Sequence, residues 1–215
     1  MDSELIDLVT RTRTTILEIL NDRGYNVDAH KNMSPADLFK MATSDATGSL
    51  LRIAADRKEG GTAPIDRCHV IYFVKDAIRQ KVDRIVEDFW TSYELDPAKD
   101  EVIVILAEPS HEVFHTTAAK LWASKKGRIS FFNIRHLTSN PAKHTFVPPH
   151  RKLSDEESKE VMAKLNVRSK TEFPRIIYHV DMQARILGLV PGDLVEIKRP
   201  SPTTGEYTLY RFCSV

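Results

Sequence analysis

The segment from His111 to His115 has the clearest catalytic spacing in the chain, because it matches the His-Glu-x-x-His pattern of zinc hydrolases. Histidines four positions apart lie on one side of a helix and can share a zinc ion, with Glu112 as general base. A third ligand is missing, since the next carboxylate after Glu112 is that of Asp155. The segment also follows Pro109-Ser110 at a helix start, where the helix dipole favours a glutamate without any catalysis. Zinc hydrolysis therefore ranks below binding functions.

Other reaction chemistries lack their residues. Phosphate-binding turns need glycine between strand and helix, and the chain has none between Gly61 and Gly127. A nuclease strand would place an acid two residues before its lysine, but Phe73 occupies that position before Lys75. Cys68 and the other cysteine, Cys213, lack the spacing of a zinc site or a disulfide framework. We therefore predict no active site, no metal and no cofactor.

Charge is polarised along the chain although its net value is only +1. The segment from Val113 to Ser154 contains no Asp or Glu, while the acids are concentrated in the preceding segment. Its eight cationic residues are Lys120, Lys125, Lys126, Arg128, Arg135, Lys143, Arg151 and Lys152. Such a segment indicates a face for nucleic acid or for an acidic protein surface. The alternative is a solvated face that is neutralised when the acids fold back onto it.

The composition is that of a folded protein of one or two domains. The chain has 215 residues, 41% of them hydrophobic and 28% charged. No apolar run approaches the ~20 residues of a membrane span, and residues 1–14 lack the apolar core of a signal peptide. We therefore expect no membrane association and a chain that stays in the compartment of its synthesis or enters a nucleus.

Hydrophobic periodicity predicts an α/β domain over residues 1–140. A helical stripe over residues 5–20 ends before Gly24, and Ser34-Pro35 is typical of a second helix start. Residues 43–64 are weakly patterned and indicate a mobile or hairpin-like connection. Strands at 69–74, 102–106 and 129–134 then alternate with helices at 76–93 and 110–124, the second of which ends at Gly127. This alternation predicts a short parallel sheet covered by helices.

Residues 141–215 are predicted to form a small α+β domain. Pro141 and Pro148-Pro149 hold the backbone extended at the boundary. Ser154 with Glu157 forms a capping box, and Asp181 is expected to cap a helix that ends at Gly188. Phe173-Pro174 opens a short strand, Pro191-Gly192 fits a tight turn, and residues 194–199 pair with residues 207–212 as a hairpin.

Binding residues are concentrated in this second domain. Arg175, Arg199 and Arg211 each lie in or beside a predicted strand, where a planar guanidinium can make paired bonds to a partner. Tyr207 and Tyr210 have the amphipathic side chains that are enriched at interfaces. Each of these residues could equally well stabilise the small domain internally.

Several runs in this domain resemble a known family in order and spacing. They are HTFVPPH (144–150), RKLSDEE (151–157), FPRI (173–176), LGLVPGDLVEIKR (187–199) and TGEYTLYR (204–211). Together they resemble the fifth subunit of eukaryotic DNA-directed RNA polymerases and its shorter archaeal counterpart. Asp22-Arg23-Gly24-Tyr25 follows the first helix as in the eukaryotic members, which are long enough to match the whole chain. Phe173 and Asp181-Met182 depart from the family pattern.

The resemblance implies a non-catalytic subunit of a multisubunit DNA-directed RNA polymerase. Residues 141–215 would form an assembly domain that docks on the largest subunit beside neighbouring subunits, and residues 1–140 a jaw near downstream double-stranded DNA. The family has a Thr-Pro-Ser-Ala loop close to that DNA, and Pro109-Ser110 stands at the matching place. The expected partner-binding residues are Pro174, Arg175, Arg199, Tyr210 and Arg211. The expected DNA-proximal residues, which would contact DNA independently of its sequence, are Pro109, Ser110, Lys125, Lys126 and Arg128.

The resemblance also implies what lies outside the chain. Catalytic metal and nucleotide would belong to the large subunits, so no small-molecule substrate is expected here. The expected location is the nucleus, or a viral particle or cytoplasmic virus factory if the source is a large DNA virus. The alternative function is that of a free-standing nucleic-acid-associated transcription adaptor or regulator with the same small domain.

Overall fold

Two sheets, one in each of two compact units, organise the chain. The computed structural model describes residues 3–44, 51–60, 65–74, 77–201, 203 and 205–215. It divides into unit 1 (Met1–Asn140) and unit 2 (Pro141–Val215). None of the helices in the described residues is both long and apolar enough to cross a membrane. The chain therefore has mixed α and β structure in two units, each with its own small sheet.

Unit 1 begins with helices α1 (Ser3–Asp22), α2 (Asp28–Lys31) and α3 (Pro35–Ser44). The apolar stripe of α1 buries Val9, Ile16 and Leu20. Helix α3 starts at Pro35 as predicted, because Ser34 Oγ accepts a hydrogen bond from Asp37 N at 3.1 Å and proline needs no donor at the first helical position.

The sheet of unit 1 has the order β1-β2-β3-β4. Its members are β1 (Ile53–Asp56), β2 (Arg67–Phe73), β3 (Asp100–Leu106) and β4 (Arg128–Asn133), with α4 (Val82–Ser92) and α5 (Glu112–Lys125) in the two crossovers. Strands β2, β3 and β4 are parallel, while β1 pairs antiparallel with β2. Every residue of β3 is buried, as expected for a central strand covered on both faces.

The alternating side chains of the strands divide the core of unit 1 into two layers. On one face, Val104 and Phe131 are neighbours in the ladder, and Phe114 of α5 packs on Phe131 with ring centroids 5.1 Å apart. On the other face, Arg23, at the end of α1, pairs with Glu101 of β3 at 2.7 Å. The parallel sheet therefore lies between α1 and the crossover helices.

For unit 1, the predicted start of α4 is wrong, and the prediction for residues 43–64 is correct in part. Helix α4 begins at Val82 rather than near residue 76. Ile78 fits the apolar spacing and is buried, but its backbone N–H is held by Glu108 Oε1 at 2.7 Å in the turn before the helix. Residues 43–64 include strand β1, so the hairpin-like alternative is correct for the part that pairs with β2. Residues 45–50 and 61–64 of that segment lie outside the described residues.

Gly127 follows the end of α5, as predicted, but it is not the left-handed residue at that end. The left-handed residue at the helix end is Lys126, with φ 56°, and its N–H donates to Trp122 O at 3.0 Å. Gly127 is needed for space instead, because a Cβ there would lie 3.0 Å from Leu121 Cγ. A glycine after a helix thus marks close packing here and not a positive φ.

Unit 2 contains β5 (His150–Lys152), α6 (Asp155–Lys164), β6 (Arg175–Ile177), α7 (Met182–Leu187), β7 (Leu194–Ser201) and β8 (Gly205–Ser214). The predicted capping box at Ser154 and Glu157 is present. Asp181 Oδ1 accepts from Gln183 N at 2.8 Å at the start of α7, and Gly188 ends that helix with φ 62°. The predicted hairpin is formed by β7 and β8. Strand β5 was missed, because only the extended backbone after Pro149 was recognised.

The sheet of unit 2 has the order β5-β7-β8-β6, with β6 parallel to β8 and the other pairs antiparallel. Face A carries Leu194, Glu196, Tyr210, Phe212 and Arg175, which are neighbours in the ladder or two residues apart. This face packs against α6 through Leu153, Phe173, Val161 and Met162. Face B carries Val195, Ile197, Arg199, Arg211 and Cys213.

Candidate partner-binding and DNA-proximal surfaces

The His-Glu-x-x-His segment lies at the start of α5, where its first histidine has a capping role. His111 is the N-cap of α5, and its Nδ1 accepts a hydrogen bond from Val113 N at 3.3 Å. Its side chain therefore caps the helix and does not lie one helical turn from His115 within it. No group of three or more His, Cys, Asp or Glu side chains suited to a metal occurs among the described residues.

Both cysteines are buried as free thiols. Burial, followed by the Glu101 carboxylate, raises the pKa of the Cys68 thiol well above its usual value. Burial and the Asp193 carboxylate raise the pKa of Cys213 to about 12. A nucleophilic cysteine needs a lowered pKa, so both thiols have packing roles.

The predicted DNA-proximal residues Pro109 and Ser110 are exposed in the loop between β3 and α5. This loop is held firmly by Glu108. Its side-chain Oε1 accepts from Ile78 N, and its carbonyl oxygen accepts from Asn133 Nδ2, each at 2.7 Å. Pro109 and Ser110 therefore project from an anchored corner at the carboxyl ends of β3 and β4.

The predicted DNA-proximal cations Lys125, Lys126 and Arg128 surround the other end of α5. Lys126 Nζ lies 5.2 Å and Arg128 Cζ 5.9 Å from the ring centroid of Trp122, within the range of cation–π attraction. Lys125 and Lys126 are exposed and Arg128 is half-buried. The cations thus form a positive cluster fixed around an aromatic ring.

The five predicted DNA-proximal residues therefore fall into two sites rather than one. Pro109 and Ser110 precede α5, and the cationic cluster follows it. A helix of 14 residues spans ~21 Å at ~1.5 Å per residue. Duplex DNA can contact both sites only if it runs along α5.

The acid-free segment belongs to both units. It extends across the division between unit 1 and unit 2 at residues 140 and 141. Several of its cations pair with acids from outside the segment, as expected if the acids fold back and neutralise it. The pairs are Lys120–Asp83 at 3.5 Å, Arg135–Glu4 at 4.0 Å, Arg151–Glu196 at 3.2 Å and Lys152–Asp193 at 2.7 Å. By contrast, Lys125, Lys126 and Arg128 make no ion pair with the described residues.

The predicted partner-binding residues of unit 2 lie on both faces of its sheet. Arg175 and Tyr210 belong to face A, whereas Arg199 and Arg211 belong to face B. Arg211 and Arg175 are nevertheless adjacent, because Arg211 Nη1 donates to the Arg175 carbonyl oxygen at 3.0 Å. Arg199 lies four residues beyond Val195, the ladder neighbour of Arg211, or ~13 Å along the strand.

Two of these residues also have internal roles. Tyr210 is half-buried, and its ring meets that of Phe173 edge-on at 6.1 Å. Burial, followed by the Glu196 carboxylate, raises the pKa of the Tyr210 hydroxyl. Pro174 is exposed, but its carbonyl oxygen accepts from Phe212 N at 2.9 Å to begin the β6–β8 ladder. Both residues therefore hold strands together as well as lining the surface.

The cations of unit 2 differ in whether they have an acidic partner. Arg151 pairs with Glu157 and Glu196, Lys152 pairs with Asp193, and Lys170 pairs with Asp155. Arg175, Arg199 and Arg211 are exposed and pair with no carboxylate among the described residues. Three guanidinium groups thus keep their charge available to an external partner.

Sequence reasoning missed a buried polar network in unit 1. Arg67 Nε donates to Asp100 Oδ1 at 2.8 Å, and Asp100 Oδ2 accepts from Asp96 N at 2.8 Å. The ring of His69 lies between Asp100, at 3.4 Å from Nε2, and Arg52, at 2.9 Å from Nδ1. The only signal in the sequence was polar residues, His69 and Asp100, within or beside apolar strands.

Comparison with known proteins connects these surfaces to a family. Residues 139–213 match the family model for the C-terminal domain of RNA polymerase Rpb5. The archaeal RNA polymerase subunit Rpo5 of Pyrococcus abyssi is 44% identical over 72 residues, which cover 34% of this chain and 85% of that protein. The chain belongs to the family of RNA polymerase subunit 5.

Eukaryotic members of the subunit 5 family match the whole chain. The Dictyostelium discoideum subunit rpabc1 of RNA polymerases I, II and III is 28% identical over 210 residues, which cover 98% of this chain and 99% of that protein. The Caenorhabditis elegans subunit RPABC1 of the same three polymerases is 29% identical over 212 residues, with 94% of this chain and 93% of that protein covered. Similarity to subunit 5 therefore includes both units.

Proposed function

We propose that this chain is a non-catalytic subunit of a multisubunit DNA-directed RNA polymerase. The observation that carries the proposal is the match over nearly the whole length to proteins named as subunits of RNA polymerases I, II and III. In this proposal residues 141–215 are the assembly domain that docks on the largest subunit. Residues 1–140 are a jaw near downstream DNA.

The charges of unit 2 support a docking role. Arg175, Arg199 and Arg211 are exposed and have no carboxylate partner among the described residues, although nearby cations do. An arginine forms paired, geometrically specific bonds with a carboxylate or with backbone carbonyl groups. The proposal assigns these bonds to the largest subunit, with Pro174 and Tyr210 supplying contact area beside them.

The surface of unit 1 supports contact with DNA that is independent of base sequence. Lys125, Lys126 and Arg128 can neutralise phosphates, and no recognition helix is needed for such contact. Pro109 and Ser110, in the anchored corner after β3, form a second, uncharged surface that DNA can approach. In the proposal the DNA lies near one or both of these sites, and the catalytic metal and nucleotide belong to other subunits. The proposed location is the nucleus, or a virus factory if the source is viral.

Affinity purification of the tagged full-length chain from its native cells tests this function. A polymerase subunit should elute in fixed, near-equal stoichiometry with two very large polypeptides, and the complex should survive a salt wash and a density gradient. A transcription adaptor would instead appear in a free pool, with large polypeptides in variable and much smaller amounts. Recovery of the chain without any large polypeptide would overturn the proposal.

A further inference from the structure

The end of strand β6 displays aliphatic side chains to solvent. Ile177 is 39% exposed and Val180 52%. Val180 is brought next to the strand end because Asp181 N donates to Ile177 O at 3.1 Å, which closes a turn. We call Ile177 and Val180 the turn patch.

The turn patch is held rigidly by its backbone. His179, between Tyr178 and Val180, is only 1% exposed and has φ 64°, a conformation that residues with a Cβ rarely adopt. Tyr178 N donates to Ser214 O at 2.7 Å on one side of the turn. On the other side, Asp181 caps α7. His179, buried and sterically disfavoured between two anchors, keeps Val180 exposed while Tyr178 and His179 are buried.

Unpaired cations lie beside the turn patch. Arg175 precedes Ile177 by two residues, so both side chains are on the same face of β6. Arg211 reaches the same strand and donates to the Arg175 carbonyl oxygen at 3.0 Å. Neither guanidinium pairs with a carboxylate among the described residues. The surface therefore combines an aliphatic centre with a positive edge.

We propose that the turn patch and Arg175 receive a short acidic-aliphatic segment of the largest polymerase subunit. An aliphatic side chain of that segment covers Ile177 and Val180, and an adjacent carboxylate pairs with Arg175. This inference rests on the proposed function, because it needs a protein neighbour. Nucleic acid is a poorer occupant, since phosphates gain nothing from the aliphatic centre, whereas protein interfaces bury apolar centres inside polar rims.

Opposite charges placed at Val180 test both features of the proposal. Val180→Lys and Val180→Asp both remove the aliphatic contact, but only aspartate is repelled by an acidic partner. We expect Val180→Asp to lower the amount of large subunit captured per tagged chain by about tenfold or more, and Val180→Lys by about threefold. Leu165→Lys is the matched control, because Leu165 is 48% exposed at the end of α6, and we expect it to capture the wild-type amount.

The capture is made with the full-length chain in its native cells, and the melting temperature of each purified variant reports its folding. The substitution Ile177→Ser lies outside the turn. It tests the same patch by the same capture measurement if Val180→Asp lowers the melting temperature. If folded Val180→Asp or Ile177→Ser captures the wild-type amount of large subunit, the turn patch is not a docking site. If the two Val180 variants lose equal amounts, the partner segment is not acidic. If the wild-type chain itself captures no large subunit, it is the proposed function that fails.

Discussion

Arginines in opposite environments distinguish one region of unit 1 from one region of unit 2. In unit 1, the side chains of Arg23 and Glu101 are only 7% and 5% exposed and form an ion pair that joins the end of α1 to β3. In unit 2, Arg175, Arg199 and Arg211 are exposed and have no acidic partner among the described residues. Removing a buried charge leaves its partner unpaired inside the protein, whereas an exposed guanidinium is satisfied by water until a partner replaces the water. The buried ion pair therefore stabilises the first unit internally, whereas the three exposed arginines of the second unit keep their charge available to a partner.

The largest expected effect comes from breaking the buried pair of unit 1. Burial acts to lower the pKa of Arg23, but the Glu101 carboxylate together with Cys68 and Tyr25 raises it overall, so the guanidinium is charged in the folded protein. We expect Arg23→Ala to reduce the free energy of unfolding by about 3–5 kcal/mol, because Glu101 stays buried without a partner. Urea denaturation of the full-length chain measures the change.

Two controls sharpen that prediction. Arg11 pairs with Asp7, but their side chains are 61% and 56% exposed, so Arg11→Ala should cost less than ~1 kcal/mol. The double change Arg23→Met with Glu101→Leu should restore most of the loss, because no unpaired charge remains. Equal costs for Arg23→Ala and Arg11→Ala would remove the contrast between internal and external arginines.

The second-largest expected effect is on assembly of the polymerase and not on the stability of the chain. We expect Arg199→Glu combined with Arg211→Glu to lower incorporation into the polymerase by about a hundredfold, while the melting temperature changes by only a few degrees. The ratio of chain to largest subunit in purified complex measures incorporation. Lys159→Glu with Lys164→Glu is the matched control, because these exposed lysines of α6 also have no acidic partner among the described residues. Normal assembly of the arginine variant would contradict the docking role.

A third prediction separates the two ends of α5. Neutralising Lys125, Lys126 and Arg128 to glutamine should reduce the slope of log binding constant against log salt concentration by up to about 2.7, or ~0.9 per lost phosphate contact. The measurement uses assembled polymerase on downstream duplex DNA. Lys120→Gln should change the slope less, because Lys120 already lies 3.5 Å from Asp83. An unchanged slope in the triple variant, with a change after Ser110→Glu, would place the DNA at the opposite end of the helix.

The smallest expected effect is a loss of stability in mild acid. Burial, and then the Arg52 guanidinium, lower the pKa of His69, although Asp100 opposes this. The unfolded chain therefore binds a proton near pH ~6.5, where folded His69 does not, and stability falls as the pH drops through that value. We expect the melting temperature to decrease between pH 7.5 and 5, and to decrease less in the His69→Gln variant. The same slope in both proteins would show that other groups cause the acid sensitivity.

Elements with strong local signals could be predicted from the sequence. Apolar runs and three- or four-residue spacing located β2, β3, β4 and α5, and capping residues located the starts of α3, α6 and α7. Strands β1 and β5 have only four and three residues, and they are defined by their neighbours in the sheet rather than by their own composition. The start of α4 was placed too early because Ile78 has the apolar spacing of the helix and is buried, although it lies in the turn before it.

The properties of the surfaces depended on distant contacts. Arg23 and Glu101 are 78 positions apart, so their pairing has no local signature. The division of the arginines between two faces follows from the β6–β8 register, which short strands do not reveal. His179 and Lys126 adopt positive φ without being glycine, so no turn motif identified them. The candidate residues could thus be chosen from the sequence, whereas their grouping on a surface became known only from the fold.

Site-specific photo-crosslinking tests the docking claim most directly. A photoreactive phenylalanine analogue is placed at Arg199 in one full-length chain and at Lys159 in a second, and each is expressed in the native cells. The account predicts an adduct with the largest polymerase subunit from position 199 and little or none from position 159. Absence of that adduct from position 199, in a chain that still copurifies with polymerase, would contradict it.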